Sequence, residues 1–314
     1  MAILSPEQMD FSEKNFSMII SGSPGIGKTT LALSAPDPIL IDFDKGISRV
    51  RAQHRKTTIC ASTYEEVLKD TESRIFRDCK TVVIDTGGSF ITYLQDWAIR
   101  TNPTAYKQKN SNAISQKGFG AVKAEFISFT NKLTYTMNKN VIYIFHTIEE
   151  KDGDVVKQRL LCEGSARNIV WQPCDLGCFM QIIGGERMLG FTPTEQYFAK
   201  GCYGIHDLIK VPNLDDGTPN DFLTRLFDRA RQNIAAESAI YGSKRTDYDT
   251  AMQHIHAILE PITDAETATE AAKSMQQVQH ALTSEKEGKA LFSAKVKELG
   301  LVWDKMGGRY VAAD

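Results

Sequence analysis

Residues 22–29 read Gly-Ser-Pro-Gly-Ile-Gly-Lys-Thr, and glycines at this spacing before a lysine and a hydroxyl suit one kind of chemistry. Glycines let successive backbone N–H groups turn toward one anion without Cβ atoms in the way, and a helix that follows adds its positive end. The Lys28 ammonium reaches the outer phosphates of a nucleoside triphosphate, and the Thr29 hydroxyl ligates Mg2+. The pattern therefore predicts an ATP site built from Gly22, Ser23, Pro24, Gly25, Ile26, Gly27, Lys28, Thr29 and Thr30. Three further candidates end short apolar runs. Asp85 closes Thr81-Val82-Val83-Ile84 and is expected to hold Mg2+ together with Thr29. Asp42 and Asp44 follow Ile39-Leu40-Ile41, where a carboxylate can orient or deprotonate an attacking water. Asp44 lies further out and is favoured. His146 closes the run 141–145, a place from which a polar side chain senses a terminal phosphate.

These residues need strands and helices to hold them. Residues 16–21 read as a strand entering the glycine-rich turn, and 28–34 as a helix stopped at Pro36. Residues 39–41, 81–84 and 141–145 read as buried strands, with helices expected over 64–77, 90–99 and 119–137. Strands alternating with helices predict an α/β fold, a mostly parallel central sheet flanked by helices. After about residue 150 the pattern turns β-rich, with strands expected at 179–183, 188–191 and 197–200. From Asp221 it becomes helical and alanine-rich. Capping boxes are expected at Thr263-x-x-Glu266 and Ser284-x-x-Glu287, a stop at Gly300 and a hairpin turning at Gly307-Gly308. Two domains are expected, 1–225 and a mainly helical 226–314, with Gly242-Ser243-Lys244 as a candidate hinge.

Composition narrows the function classes. With 42% hydrophobic and 24% charged residues and net charge −2, the chain is ordinary globular protein without an overall field for nucleic acid. Any nucleic-acid site must be local. The apolar runs are strand-sized, too short for a membrane span, and residues 1–17 lack a basic-then-apolar leader pattern, so a cytoplasmic location is expected. The six cysteines are scattered. Cys174-x3-Cys178 and Cys202-x3-His206 have roughly zinc-like spacing, but Cys174 and Cys178 are read as packing residues of a strand, and no zinc is expected.

In the order of these parts the chain resembles the RecA/RadA superfamily core. The parts are the phosphate loop, the acid-ended run Ile41-Asp42-Phe43-Asp44, the strand ending Asp85-Thr86, and Ile144-Phe145-His146. More narrowly, it resembles phage-encoded, core-only RecA-like ATPases, which include single-strand annealing recombinases. The resemblance covers about residues 16–210. It implies Asp44 as catalytic carboxylate, Asp85 as the acid on the Mg2+ side and His146 as γ-phosphate sensor, alongside Lys28. It also implies assembly into a homo-oligomer with ATP at subunit interfaces, single-stranded DNA as ligand, and a single-strand-binding protein as a further partner. Relatives carry a Lys-x-Arg-x-Gly run that reaches a neighbouring subunit's γ-phosphate. The matching run here is Lys200-Gly201-Cys202-Tyr203-Gly204, with the lysine retained and the arginine replaced by Cys202.

Two DNA-binding loops implied by the resemblance fall at about 100–118 and 149–167. The first has support of its own. From Trp97 to Ala124 there are five basic residues and no acid, and Arg100, Lys107, Lys109 and Lys117 alternate with Tyr106 and Phe119. Cations for phosphates and aromatic faces for bases suit sequence-tolerant binding of a single strand. The basic run 45–56 (Lys45, Arg49, Arg51, Arg55, Lys56) reads as a solvated helix face. An ATP-dependent DNA-binding recombination protein is the leading expectation. A P-loop motor or helicase loader acting on a protein is the alternative, and a small-molecule kinase is disfavoured because no second arginine cluster or lid is evident.

Overall fold

Apolar runs punctuated by glycine, proline and aspartate set the elements of the first unit, residues 11–233. In the computed structural model, which describes Met9 and residues 11–163, 166–214 and 218–313, β1 (Ser17–Gly22) feeds the phosphate loop and α1 (Lys28–Ala32). β2 (Pro38–Asp42) and β3 (Thr58–Ile59) follow, then α2 (Tyr64–Asp70) and α3 (Arg74–Asp78). The single helix expected over 64–77 is broken there because the Ser73 hydroxyl accepts the Phe76 N–H and starts a new helix. Next come β4 (Thr81–Asp85), α4 (Gly87–Thr101), α5 (Pro103–Tyr106), α6 (Gln116–Asn131) and β5 (Asn140–Asp152). The chain then forms β6 (Val155–Leu160), α7 (Ala166–Ile169), β7 (Leu176–Ile183), β8 (Glu186–Gly190), β9 (Leu208–Lys210) and α8 (Phe222–Leu259).

The sheet runs β3-β2-β4-β5-β1-β7-β8-β9, with β6 on the outer half of β5. From β3 to β7 neighbours are parallel, while β8 and β9 add an antiparallel edge. This is the mostly parallel, helix-flanked sheet expected. Parallel register aligns the carboxyl ends: Gly22 lies beside His146 and Asp42 beside Asp85. The strand expected at 197–200 forms isolated bridges at Tyr197 and Lys200 instead, and β9 is an edge strand the apolar pattern did not show.

An aromatic cluster packs helices on this sheet. Phe90 of α4 is fully buried against Phe43, Tyr64, Phe126 and Phe129, worth about 2–3 kcal/mol for such a ring. Phe43 stacks on Phe90 at 5.0 Å and meets Tyr93 edge-on, so the residue between Asp42 and Asp44 is pinned in the core.

The chain divides at Asn233/Ile234, inside α8. Gly242, in the expected hinge, lies within this helix with open space around its α-carbon. A lone glycine costs a helix only about 1 kcal/mol, which good helix formers on both sides absorb. The second unit contains the rest of α8, α9 (Ala265–Met275), α10 (Ser284–Glu298) and a hairpin of β10 (Leu301–Asp304) and β11 (Arg309–Ala312). Ile255, Leu259, Ile262 and Val296 form its core. Both caps sit one residue from expectation. Asp264 pairs with Thr267 in the capping box of α9, and Thr283 precedes α10 while Ser284 is buried. Asp is a stronger N-cap than Thr.

Candidate nucleotide-binding site

The loop between β1 and α1 needs glycine where the geometry is tightest. Gly22 has φ +148°, and a Cβ there would sit 2.5 Å from the Met180 carbonyl oxygen of β7. Gly27 caps α1 at φ +107°. Lys28 is 4% exposed, and its ammonium donates to the Gly22 and Ser23 carbonyls, both at 2.8 Å. It also approaches His146 Nδ1 at 3.1 Å. Burial lowers its pKa to about 8, with Asp85 and then Asp44 pulling the other way, so Lys28 is still mostly cationic at neutral pH. A charged lysine donates to Nδ1, which leaves the proton of a neutral His146 on Nε2. Burial first, then the Lys28 charge, lowers the His146 pKa, consistent with that neutral ring.

Asp85 sits at the end of β4, and its Oδ2 accepts the Thr29 hydroxyl at 2.7 Å. Burial raises its pKa to about 6; the Thr29 hydrogen bond opposes this, and Asp42 and Asp44 add to it. A buried carboxylate and a hydroxyl in contact, with a loop of glycines and a lysine beside them, form the donor set that a Mg2+–triphosphate complex requires. The residues present fit that group.

The structure separates Asp42 from Asp44. Asp42 is buried, and its two oxygens accept the Gly46 and Ile47 N–H groups, each at 2.9 Å. It is a turn-holding residue. Asp44 is tied by its own N–H to the Asp85 carbonyl at 3.0 Å. Its side chain, 32% exposed, meets Arg49 at 2.7 Å. A cavity of about 180 Å³ brings together Lys28, Thr29, Asp44, Arg49, Asp85 and His146. A second, of about 340 Å³, continues past Gly25 and Gly27 to Arg51, His54, Arg187 and Asn220. Arg187 on β8 donates from Nε to the Ile26 carbonyl at 3.0 Å. Nothing in the sequence marks Arg187; the β7–β8 hairpin brings it in from 161 residues away. The run 45–56 is not a helix face: it makes two short 3-10 turns, Ile47–Arg49 and Ala52–His54. Arg49 and Arg51 line the cavity instead.

A family model described as an AAA domain matches residues 14–203. This chain belongs to the AAA-domain family. The match contains every residue that lines the smaller cavity, so the AAA domain here is a nucleotide-binding P-loop domain. No curated protein matches the sequence. Among solved structures, the flagellar accessory protein FlaH from Methanocaldococcus jannaschii is similar at 12% identity, over 55% of this chain and 75% of FlaH, with a TM-score of 0.30.

Elsewhere in the AAA domain the expected residues are dispersed. Segment 100–118 is not an open loop: Lys107 bridges Ile114, and the Ser115 N–H donates to the Tyr106 carbonyl at 2.7 Å. Arg100 is paired with Glu65 at 2.8 Å. Tyr106 and Phe119 are half-buried against the core. Lys109 and Lys117 are exposed, and neither they nor Lys107 has an ion-pair partner among the described residues. The stretch 149–167, expected as a second loop, is instead the β5–β6 hairpin, because β5 runs on to Asp152; residues 164–165 lie outside the described ones. Three of its four cations are paired internally, Lys157 with Asp152 and Arg159 and Arg167 with Glu150, while Lys151 is exposed. Lys200 donates to the Cys174 carbonyl of its own chain, away from this chain's phosphate pocket. Cys174 and Cys178 are fully buried, which raises their thiol pKa values. Among the described residues no group of three or more His, Cys, Asp or Glu side chains is placed to hold a metal ion, and no helix is long and apolar enough to cross a membrane.

Proposed function

We propose that this protein binds and slowly hydrolyses ATP at the β1–α1 loop and couples that site to single-stranded DNA in recombination or strand annealing. The observation that carries the ATP half is the convergence of Lys28, Thr29, Asp85, His146 and Asp44 on one cavity at the carboxyl edge of the parallel sheet. Thr29 and Asp85 would hold Mg2+, which supplies charge neutralisation for the transferring phosphoryl group. Lys28 is already positioned by two carbonyls to reach outer phosphates. Asp42 is committed to backbone N–H groups, which leaves Asp44 to accept the proton of, or orient, an attacking water. A neutral His146 with its proton on Nε2 offers one donor to a phosphate oxygen.

The DNA half rests on an acid-free segment with three lysines. Support also comes from an open groove beside the site in which Phe119 is lined up with Asp44, His146 and Arg167. A strand held at residues 107–119 would touch the same loop ends that touch the nucleotide. Assembly into a homo-oligomer, with a single-strand-binding protein as a further partner, belongs to the same reading. The test is binding of labelled single-stranded DNA, with and without ATP, together with DNA-stimulated turnover. DNA-independent turnover with no DNA binding would favour an ATPase that acts on a protein partner.

A further inference from the structure

The phosphate cavity carries two formally charged cations among its described lining residues, Lys28 and Arg49, and the second has no part yet. Arg49 is placed with care. The buried Asp42 carboxylate holds the N–H groups of Gly46 and Ile47, and the Arg49 N–H closes the turn onto the Gly46 carbonyl at 2.9 Å. That turn sets the guanidinium at the mouth of the phosphate cavity, on the carboxylate of Asp44 at 2.7 Å. The Arg49 side chain is 68% exposed, and among the described residues this carboxylate and two carbonyls, at 3.4 and 3.5 Å, are what hold it. An exposed ion pair of this kind is weak. A guanidinium on a phosphate is bidentate and charge-assisted, and is the stronger bond. An incoming terminal phosphate therefore competes successfully for Arg49.

We propose that Arg49 is a phosphate switch acting within its own chain: it leaves Asp44 for the terminal phosphate of ATP, so that Asp44 is unmasked only when a triphosphate is bound. This rests on the ATP reading above. It deepens that reading by assigning a residue that discriminates triphosphate from diphosphate and ties water activation to that discrimination. No bond is made or broken in the exchange; one ion pair replaces another.

The experiment is equilibrium binding of Mg–ADP and of the β,γ-imido analogue of ATP to the full chain. The set is wild type, Arg49→Ala, Asp44→Asn and the double variant, with thermal melting as the check on folding. Arg49→Ala should weaken the analogue about tenfold, the size of one charged hydrogen-bonded contact, and leave ADP within about twofold. Asp44→Asn should strengthen the analogue, and by more with Arg49 present than in Arg49→Ala, because only then is an ion pair saved from breaking. An equal loss for both nucleotides, no loss for either, or a gain from Asp44→Asn at least as large without Arg49 would overturn the switch while leaving the ATP site standing. Failure of the wild type to bind either nucleotide would overturn both.

Discussion

Two regions were marked by residue type, the phosphate loop with its acid-ended strands and the basic segment 100–118, and they fare differently in the folded chain. In the first, residues up to 118 positions apart, Lys28 and His146, come within 3.1 Å. In the second, neighbours in sequence part company: Arg100 goes to Glu65, Tyr106 to the core, and Lys109 and Lys117 to solvent. Parallel register explains the first. Once apolar runs fix which strands pair, every strand tip lands on one edge, and polar residues at the tips must meet. No such rule governs a surface segment, where each side chain takes its nearest partner.

The largest effect that sharpens this contrast is expected at Lys28. Lys28→Ala should cut turnover by about a thousandfold, as removal of a preorganised donor does, while circular dichroism shows the fold intact. Normal turnover in that variant would remove the nucleotide site from the comparison altogether.

Asp42 and Asp44 form the next test, since they share a strand end and differ in use. Asp44→Asn should slow turnover by about 10²–10⁴-fold, the range for a lost general base, without weakening nucleotide binding. Asp42→Asn should cost fold stability of about 1–3 kcal/mol, because a buried acceptor of two N–H groups is weakened. The reverse pattern in urea unfolding and turnover assays would exchange their roles.

Asp85 adds a dependence on pH. Its folded pKa of about 6 lies above the ordinary carboxylate value, so the folded state binds the extra proton between about pH 4 and 6. Its contribution to stability is then present below pH 4 and lost as pH rises through 6. Asp85→Asn should therefore match wild type near pH 4 and exceed it by about 2–3 kcal/mol above pH 6, while losing Mg2+-dependent nucleotide binding. Denaturant midpoints across that range measure it. A constant difference at all pH values would mean burial of the charge is not the cause.

The smallest expected effects concern the basic segment. Replacing Lys107, Lys109 and Lys117 together by alanine should lower the salt slope of single-strand binding by about two units, at about 0.7 per phosphate contact. Tyr106→Ala should cost about 1–2 kcal/mol of stability rather than DNA affinity, since its ring is packed on the core. A lost affinity with unchanged stability would return Tyr106 to the DNA surface.

The sequence by itself determined the parallel α/β core, the phosphate loop and the strand end at Asp85, whereas His146 lies inside β5, which runs on to Asp152. These follow from local rules of apolar runs, glycine geometry and the βα alternation, and they do not depend on distant partners. The sequence favoured Asp44 over Asp42 by its outer position alone; the physical separation, with Asp42 tied to backbone N–H groups, comes from the pinned ring of Phe43 and the turn at Gly46. Arg49 was visible as one basic residue in a run; that it faces the phosphate cavity depends on two short turns with no apolar period to announce them. Arg187 had no local signal at all. A residue that reaches a site across an antiparallel hairpin does so because of where the hairpin packs, and packing is decided by the whole core rather than by the segment that carries the residue.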